Sequence, residues 1–312
     1  MSRFLIRRLG WSLLVLWFAM TATFAITYVL PADPVRTMLG PHADPDTIAQ
    51  VRHNLHLDAS LPAQYGYYVA QVARGDLGTS FRLTRPVNQV IGDALWPTVQ
   101  LALAALLLQI LIGVPLGVLA AMRRNRPADT LAQGIALLGQ SAPTFFLGPL
   151  LIYLLAYKTG WFPISGYGEA GVLDRLWHIF LPALTLAAGG TALYTRIVRS
   201  DLIETLGEDY VRTARAKGLP TWTVVMHHAL RNALLPLVTL IALDLGALLG
   251  GAVVTEFIFS WPGIGREAVL SIFNMDLPVI LGVVLFAAAA IVVVNLLVDL
   301  VYAWLDPRVR LE

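Results

Sequence analysis

The chain has 312 residues, 57% of them apolar and only 13% charged, with a formal net charge of +2 and no cysteine. Its mean hydropathy is +0.69. So few polar residues cannot cover a water-soluble domain, and the missing cysteines exclude a disulfide framework, a thiolate nucleophile and a thiolate metal site.

Six apolar stretches are each about long enough to cross the ~30 Å hydrocarbon core of a bilayer. They cover residues 9–30, 98–122, 131–157, 179–198, 234–257 and 279–305. Only helices and closed barrels satisfy backbone hydrogen bonds in lipid, and the short alternating segments of a barrel are absent, so the class is all-α with six transmembrane helices. The first stretch follows Arg3, Arg7 and Arg8 as a signal peptide would. Its apolar run exceeds the about 7–15 residues of a secretory core, so it reads as a retained helix.

Residues 31–97 form the largest segment between spans. Asp44-Pro45 reads as an N-cap followed by proline at the first helical position, and Ile48, Val51 and Leu55 give a short apolar stripe. A second surface helix is expected over 62–74, closed by Gly75. Both are too small for a domain of their own. The organisation is therefore 1–97 as first helix plus external segment, 98–305 as a five-helix core with a cytoplasmic loop at 199–233, and 306–312 as a tail. His53 and His56, with His42 nearby, have a spacing that can place two imidazoles on one face, but no carboxylate ligand set accompanies them, so they read as a solvated surface feature and no metal site is expected.

Cations set the orientation. With the N-terminus cytoplasmic and the spans alternating, the inner segments hold Arg3, Arg7, Arg8, Arg123, Arg124, Arg126, Arg196, Arg199, Arg212, Arg215, Lys217, Arg231, Arg308 and Arg310, or 14 of the 22 cations. The positive-inside rule then places both termini in the cytoplasm, and the small net charge gives no reason to invoke nucleic acid.

One inner segment stands out, Glu208 to Gly218, EDYVRTARAKG. On a helix, Tyr210, Ala214 and Lys217 share a face, with Val211 beside them. Ala214 and Gly218 are small enough for a partner to approach the backbone. Arg212, Arg215 and Lys217 can meet acidic or carbonyl groups, and Gly218 ends the helix with Pro220 soon after.

In the fifth span, Asp244 is an acid deep in the hydrocarbon, where an unpaired carboxylate costs about 2.5–3.5 kcal/mol on insertion scales. Leu248, Gly251 and Thr255 are expected on its face, and Glu256 comes next at the outer mouth. Asp244 either faces a cavity or is satisfied by a neighbouring helix. Glu256 either borders that cavity or snorkels to the interface. Asp299, in the last span, has a structural partner or a transport role.

The loop at 208–218 resembles the EAA loop of binding-protein-dependent ABC import permeases, in the wording of their dipeptide, oligopeptide and nickel branch. The Glu-Ala-Ala slot reads Arg212-Thr213-Ala214 before Gly218, and a later Ile-x-Leu-Pro reads His228-Ala229-Leu230-Arg231. The similarity continues through LPADP (30–34), LHLDASLPAQY (55–65), GDLGTSF (75–81), PVNQVI (86–91), APTFFLGPLLIYLL (142–155), GWFPISG (160–166), FIFSWPGIG (257–265) and NLLVDLVYAWLDPRVR (295–310). Asn274-Met275-Asp276-Leu277-Pro278 departs from the branch's Arg-Asp-Tyr-Pro-like wording.

The resemblance implies a type I ABC importer permease fold in a bacterial cytoplasmic membrane. It implies a paralogous permease as heterodimer partner, two cytoplasmic ATPases that bind the ATP and Mg, and an external substrate-binding protein. Glu208, Asp209, Tyr210, Arg212, Thr213, Ala214, Arg215, Lys217 and Gly218 would couple to the ATPase. Asp244, Leu248, Gly251, Thr255 and Glu256 would border the translocation path. The cargo would be a di- or oligopeptide, with nickel chelates and glutathione as alternatives in the branch. The chain has no Gly-x-x-x-x-Gly-Lys phosphate loop and no His-Glu-x-x-His zinc motif, so it should neither bind ATP nor act as an enzyme. Ser165-Gly166 matches part of a rhomboid motif, but Pro163 occupies the place of its first glycine. An ion-coupled secondary transporter would show inverted repeats and paired intramembrane charges, and neither is clear.

Overall fold

A computed structural model describes residues 2–29, 35, 39–40, 44–54 and 56–305. The described residues form helices α1 (Ser2–Val29), α2 (Pro45–Asn54), α3 (Leu61–Ala73), α4 (Val87–Met122) and α5 (Pro127–Ser141). Next come α6 (Thr144–Tyr157, its second half a π-helix), α7 (Val172–Thr205), α8 (Asp209–Ala216), α9 (Thr221–Ala233) and α10 (Leu235–Gly251). The last three are α11 (Val253–Ile258), α12 (Ile264–Phe273) and α13 (Leu277–Leu305).

By length and composition, α4, α7 and the first part of α13 (Leu277–Leu296) can each cross a membrane alone. The other expected spans differ. The stretch at 131–157 is two helices, α5 and α6, meeting at 104°, because Pro143 stands in extended conformation at the break. The stretch at 234–257 stops at Ala252, and α11 is a separate short helix. In α1 the apolar part is Gly10–Ile26. The expected tail, 306–312, lies outside the described residues, as does His42.

Glycine builds the centre. α4 lies against α7 so closely that a Cβ on Gly113 would come within 2.8 Å of the Tyr194 Cβ, and one on Gly117 within 2.7 Å of the Val198 Cβ. α5 crosses the same helix at Gly139, 3.0 Å from the Ala188 carbonyl oxygen by the same measure. Where apolar surface gains little by leaving lipid, such close approach supplies the packing energy.

The segment after α1 forms the two short helices expected of it. α2 begins at Pro45, and α3 ends at Ala73, with Arg74 as its C-cap and Gly75 at φ +78°. α3 docks on α1 through Tyr65 and Tyr68, whose hydroxyls lie 2.8 Å from the Thr21 and 3.1 Å from the Thr23 hydroxyls. Residues 80–82 are then fixed to the turn before α13. There the buried Asp276 carboxylate accepts from the Ser80 hydroxyl (2.5 Å), the Phe81 amide (3.0 Å) and the Arg82 amide (3.2 Å). His53 is likewise engaged, its Nδ1 2.6 Å from Asp58 Oδ2.

Candidate coupling site and translocation face

α8 is a short helix set on a hydrophobic keel. Val211 is fully buried and Ala214 nearly so, one turn apart. They pack with Val198 and Leu202 of α7 and with Val224, Val225, Ala229 and Leu230 of α9. The expectation that Ala214 lies open to a partner is thus corrected: Val211 and Ala214 form the apolar stripe, and burial claims it first. Tyr210 is half-exposed and receives the Asn232 Nδ2 at 2.7 Å, which ties α8 to α9 from its rim.

The opposite face is left to solvent. Glu208, Asp209, Arg212, Thr213, Arg215 and Lys217 are exposed. Arg212 meets Asp209 at 3.2 Å, an exposed pair of little energetic weight. Thr213 donates back to the Asp209 carbonyl at 2.9 Å. Asp209 in the first turn and Arg215 in the last complement the helix dipole. Gly218 closes the helix at φ +77°, its amide donating to the Arg215 carbonyl at 2.9 Å, and a Cβ there would meet nothing within 4 Å among the described residues. Just beyond, Leu219 and Trp222 expose 37% and 62% of their surface. Cations interleaved with exposed aromatic and aliphatic groups are the composition of an interface centre. Sequence reasoning does not single out Leu219 and Trp222. The signal available is an isolated tryptophan in a polar stretch between spans.

The expected path face comes apart. Asp244 is half-buried in α10, and its Oδ2 is enclosed without a hydrogen-bond partner. The fully buried Tyr194 hydroxyl lies within its electrostatic reach, yet neither atom forms a hydrogen bond of good geometry. Leu248, a turn further on, packs against the Tyr194 cluster and the Trp261 cluster. Gly251 ends the helix. Thr255 and Glu256, expected to extend the same face, are buried inside the chain on α11.

Glu256 has a different task, and it neither borders a path nor snorkels. Its carboxylate accepts the Thr98 hydroxyl (2.8 Å) and the Arg266 amide (3.1 Å), while Thr98 accepts the Ile264 amide (2.9 Å). A negative group thereby satisfies the orphan amides at the start of α12, where the helix dipole also favours it. The WPGIG turn makes room for this. A side chain at Gly263 would overlap the carboxylate, and one at Gly265 would come within 2.6 Å of the Val253 Cα. Trp261, fully buried, seals the site and donates its indole N–H to the Pro97 carbonyl at 2.8 Å. The Asp299 side chain is not among those described.

The chain matches the family described as binding-protein-dependent transport system inner membrane component over residues 113–311, and that family's N-terminal component over residues 1–102. It belongs to this family. The glutathione transport system permease protein GsiC of Salmonella typhimurium is 39% identical over 310 residues, covering 99% of each chain. The dipeptide transport system permease protein DppB of Escherichia coli is 40% identical over 336 residues, again with 99% of each chain covered. Among solved structures, the inward-facing MetNI methionine ABC transporter shares the fold, with a TM-score of 0.58 at 18% identity over 70% of this chain and 97% of that one. The protein is a membrane permease subunit of an ABC importer, and transport is its task.

Proposed function

We propose that this permease carries di- or oligopeptides inward, paired with a second, paralogous permease. Two cytoplasmic ATPases would supply the ATP and Mg chemistry, and an external binding protein the cargo. The observation that carries this reading is α8. It is a helix clamped to the transmembrane body by Val211 and Ala214, whose other face offers Arg212 and Arg215 to a partner, with Lys217 at its end and Trp222 exposed at the start of α9. A keel of that kind moves with α7 and α9 as one piece. Closure of the ATPases on α8 would therefore turn the helices behind it between outward- and inward-open arrangements.

The six-span count, with both termini in the cytoplasm, is part of the proposal. Three helices are long and apolar enough to cross unaided; the two bent pairs would supply two more spans, and α1 the sixth. The peptide cargo rests on the dipeptide relatives, and glutathione, itself a tripeptide, is the second reading that GsiC favours. The test is purification of the complete complex with its binding protein, mass spectrometry of the bound ligand, and ATP-dependent uptake of that ligand in proteoliposomes. A peptide that is bound and taken up supports the reading. A co-purifying ligand that is no peptide and is the one transported removes it.

A further inference from the structure

Asp129, at the start of α5, is 3% exposed and holds four donors. Oδ1 accepts the Arg199 Nε and the Gln133 Nε2, each at 2.7 Å. Oδ2 accepts the Arg199 Nη2 at 2.8 Å and the Asn125 amide at 2.9 Å. Asn125 stands at φ +61°, which folds the turn between α4 and α5 back onto the carboxylate.

Arg199 lies on α7, one residue from Val198 and three from Leu202, the residues that help seat Val211 and Ala214 of α8. One end of the pair is thus rooted beside the keel of α8, and the other in the first turn of α5. From there α5 leads through the 104° break into α6. A bidentate guanidinium–carboxylate contact fixes orientation as well as distance, which a single charge contact does not.

We propose that Asp129 and Arg199 form a strut that passes the displacement of α8 to α5 and the broken α5–α6 segment, making both positioning residues of the transport cycle. The proposal rests on the reading of α8 as the ATPase-docking helix. Its rival is that Arg199 only neutralises a buried acid. Removing both charges together separates the two: neutralisation then has nothing left to do, whereas a strut is lost.

The experiment measures substrate uptake and ATP hydrolysis together in proteoliposomes holding the complete complex. In Asp129→Asn/Arg199→Gln, which leaves no unpaired charge, uptake per ATP should fall at least about fivefold, the low end of ordinary coupling free energies. Asp129→Cys/Arg199→Cys, made in a chain with no native cysteine, should be equally uncoupled. It should regain uptake per ATP when the two thiols are bridged by a short reducible reagent, and lose it again on reduction. An unchanged ratio in the neutral pair, or a bridge that does not restore coupling, overturns the strut. If the neutral pair fails to assemble, the cysteine pair decides alone, since its bridged and reduced states are compared in the same molecules. A wild-type complex without ATP-dependent uptake overturns the proposed function and the strut with it. Wild-type uptake with an insensitive ratio overturns the strut only.

Discussion

Two regions of the molecule, the turns around α12 and the helix α8, spend their polar groups differently. In the turns on either side of α12, Asp276 and Glu256 are buried acids turned inward, Asp276 accepting from two backbone amides and a hydroxyl of this same chain and Glu256 from one of each. At α8 the burial is apolar, through Val211 and Ala214, and the charged groups face out. The first arrangement locks turns together and leaves little for a partner to take. The second fixes a helix in place while keeping its recognition groups free. Rigidity and availability are thus obtained from different side chains, and a surface built to transmit force needs both.

The comparison breaks first at Glu256. Glu256→Ala leaves the Thr98 hydroxyl and the Arg266 amide without an acceptor and opens a cavity behind Trp261. The expected loss is about 4 kcal/mol, seen as a fall in thermal unfolding temperature and in yield of assembled complex. Asp276→Asn should cost less, about 2 kcal/mol, because one acceptor oxygen remains for one of the two backbone amides. Its mark should be local, with residues 80–82 becoming accessible to protease while ATPase binding is retained.

Trp222→Ala sharpens the other side. The side chain is 62% exposed, so stability should move by less than about 0.5 kcal/mol. Affinity for the ATPase should weaken by about 2 kcal/mol, or roughly 30-fold, as removal of an interface anchor does. Surface-immobilised permease titrated with ATPase measures it, and unchanged affinity would exclude Trp222 from the docking face.

The smallest effect is expected at His53. Its hydrogen bond to Asp58, and then the Asp58 charge, raise the imidazole above its ordinary value, while the same bond lowers Asp58. The pair's stabilisation is therefore lost as pH rises through the raised imidazole value, and as it falls through the lowered carboxyl value. Between them it holds. A histidine NMR titration should show the upward shift for His53 and its disappearance in Asp58→Asn, with transport unaffected.

What is legible in the sequence is what local pattern carries. Hydropathy locates the apolar helices but not the breaks at Pro143 and Ala252, Asp44-Pro45 and Gly75 locate α2 and α3, and the cations with Gly218 and Pro220 locate α8. What stays hidden depends on contacts far apart in the chain: Asp129 with Arg199, Thr98 with Glu256, Ser80 with Asp276. An acid beside an apolar span announces that it needs a partner but not which one. Sequence reasoning misplaces Glu256 for that reason, since it extends the helix through Ala252 and does not recognise the WPGIG turn as folding back to meet the carboxylate. It misplaces Ala214 for a simpler one. The i, i+3 relation of Ala214 to Val211 marks a buried stripe, and hydrophobicity outranks the i, i+4 relation to Tyr210.

The central claim is that α8 is the element through which ATP hydrolysis reaches the membrane helices, and Gly218 tests it most directly. A β-branched residue there is strained at φ +77°, and its side chain would project into space that none of the described residues fills. Gly218→Val should therefore insert into the membrane and bind the external partner normally, yet lose ATPase association and ATP-dependent uptake in proteoliposomes. Full uptake by that variant would contradict the account and place the coupling elsewhere.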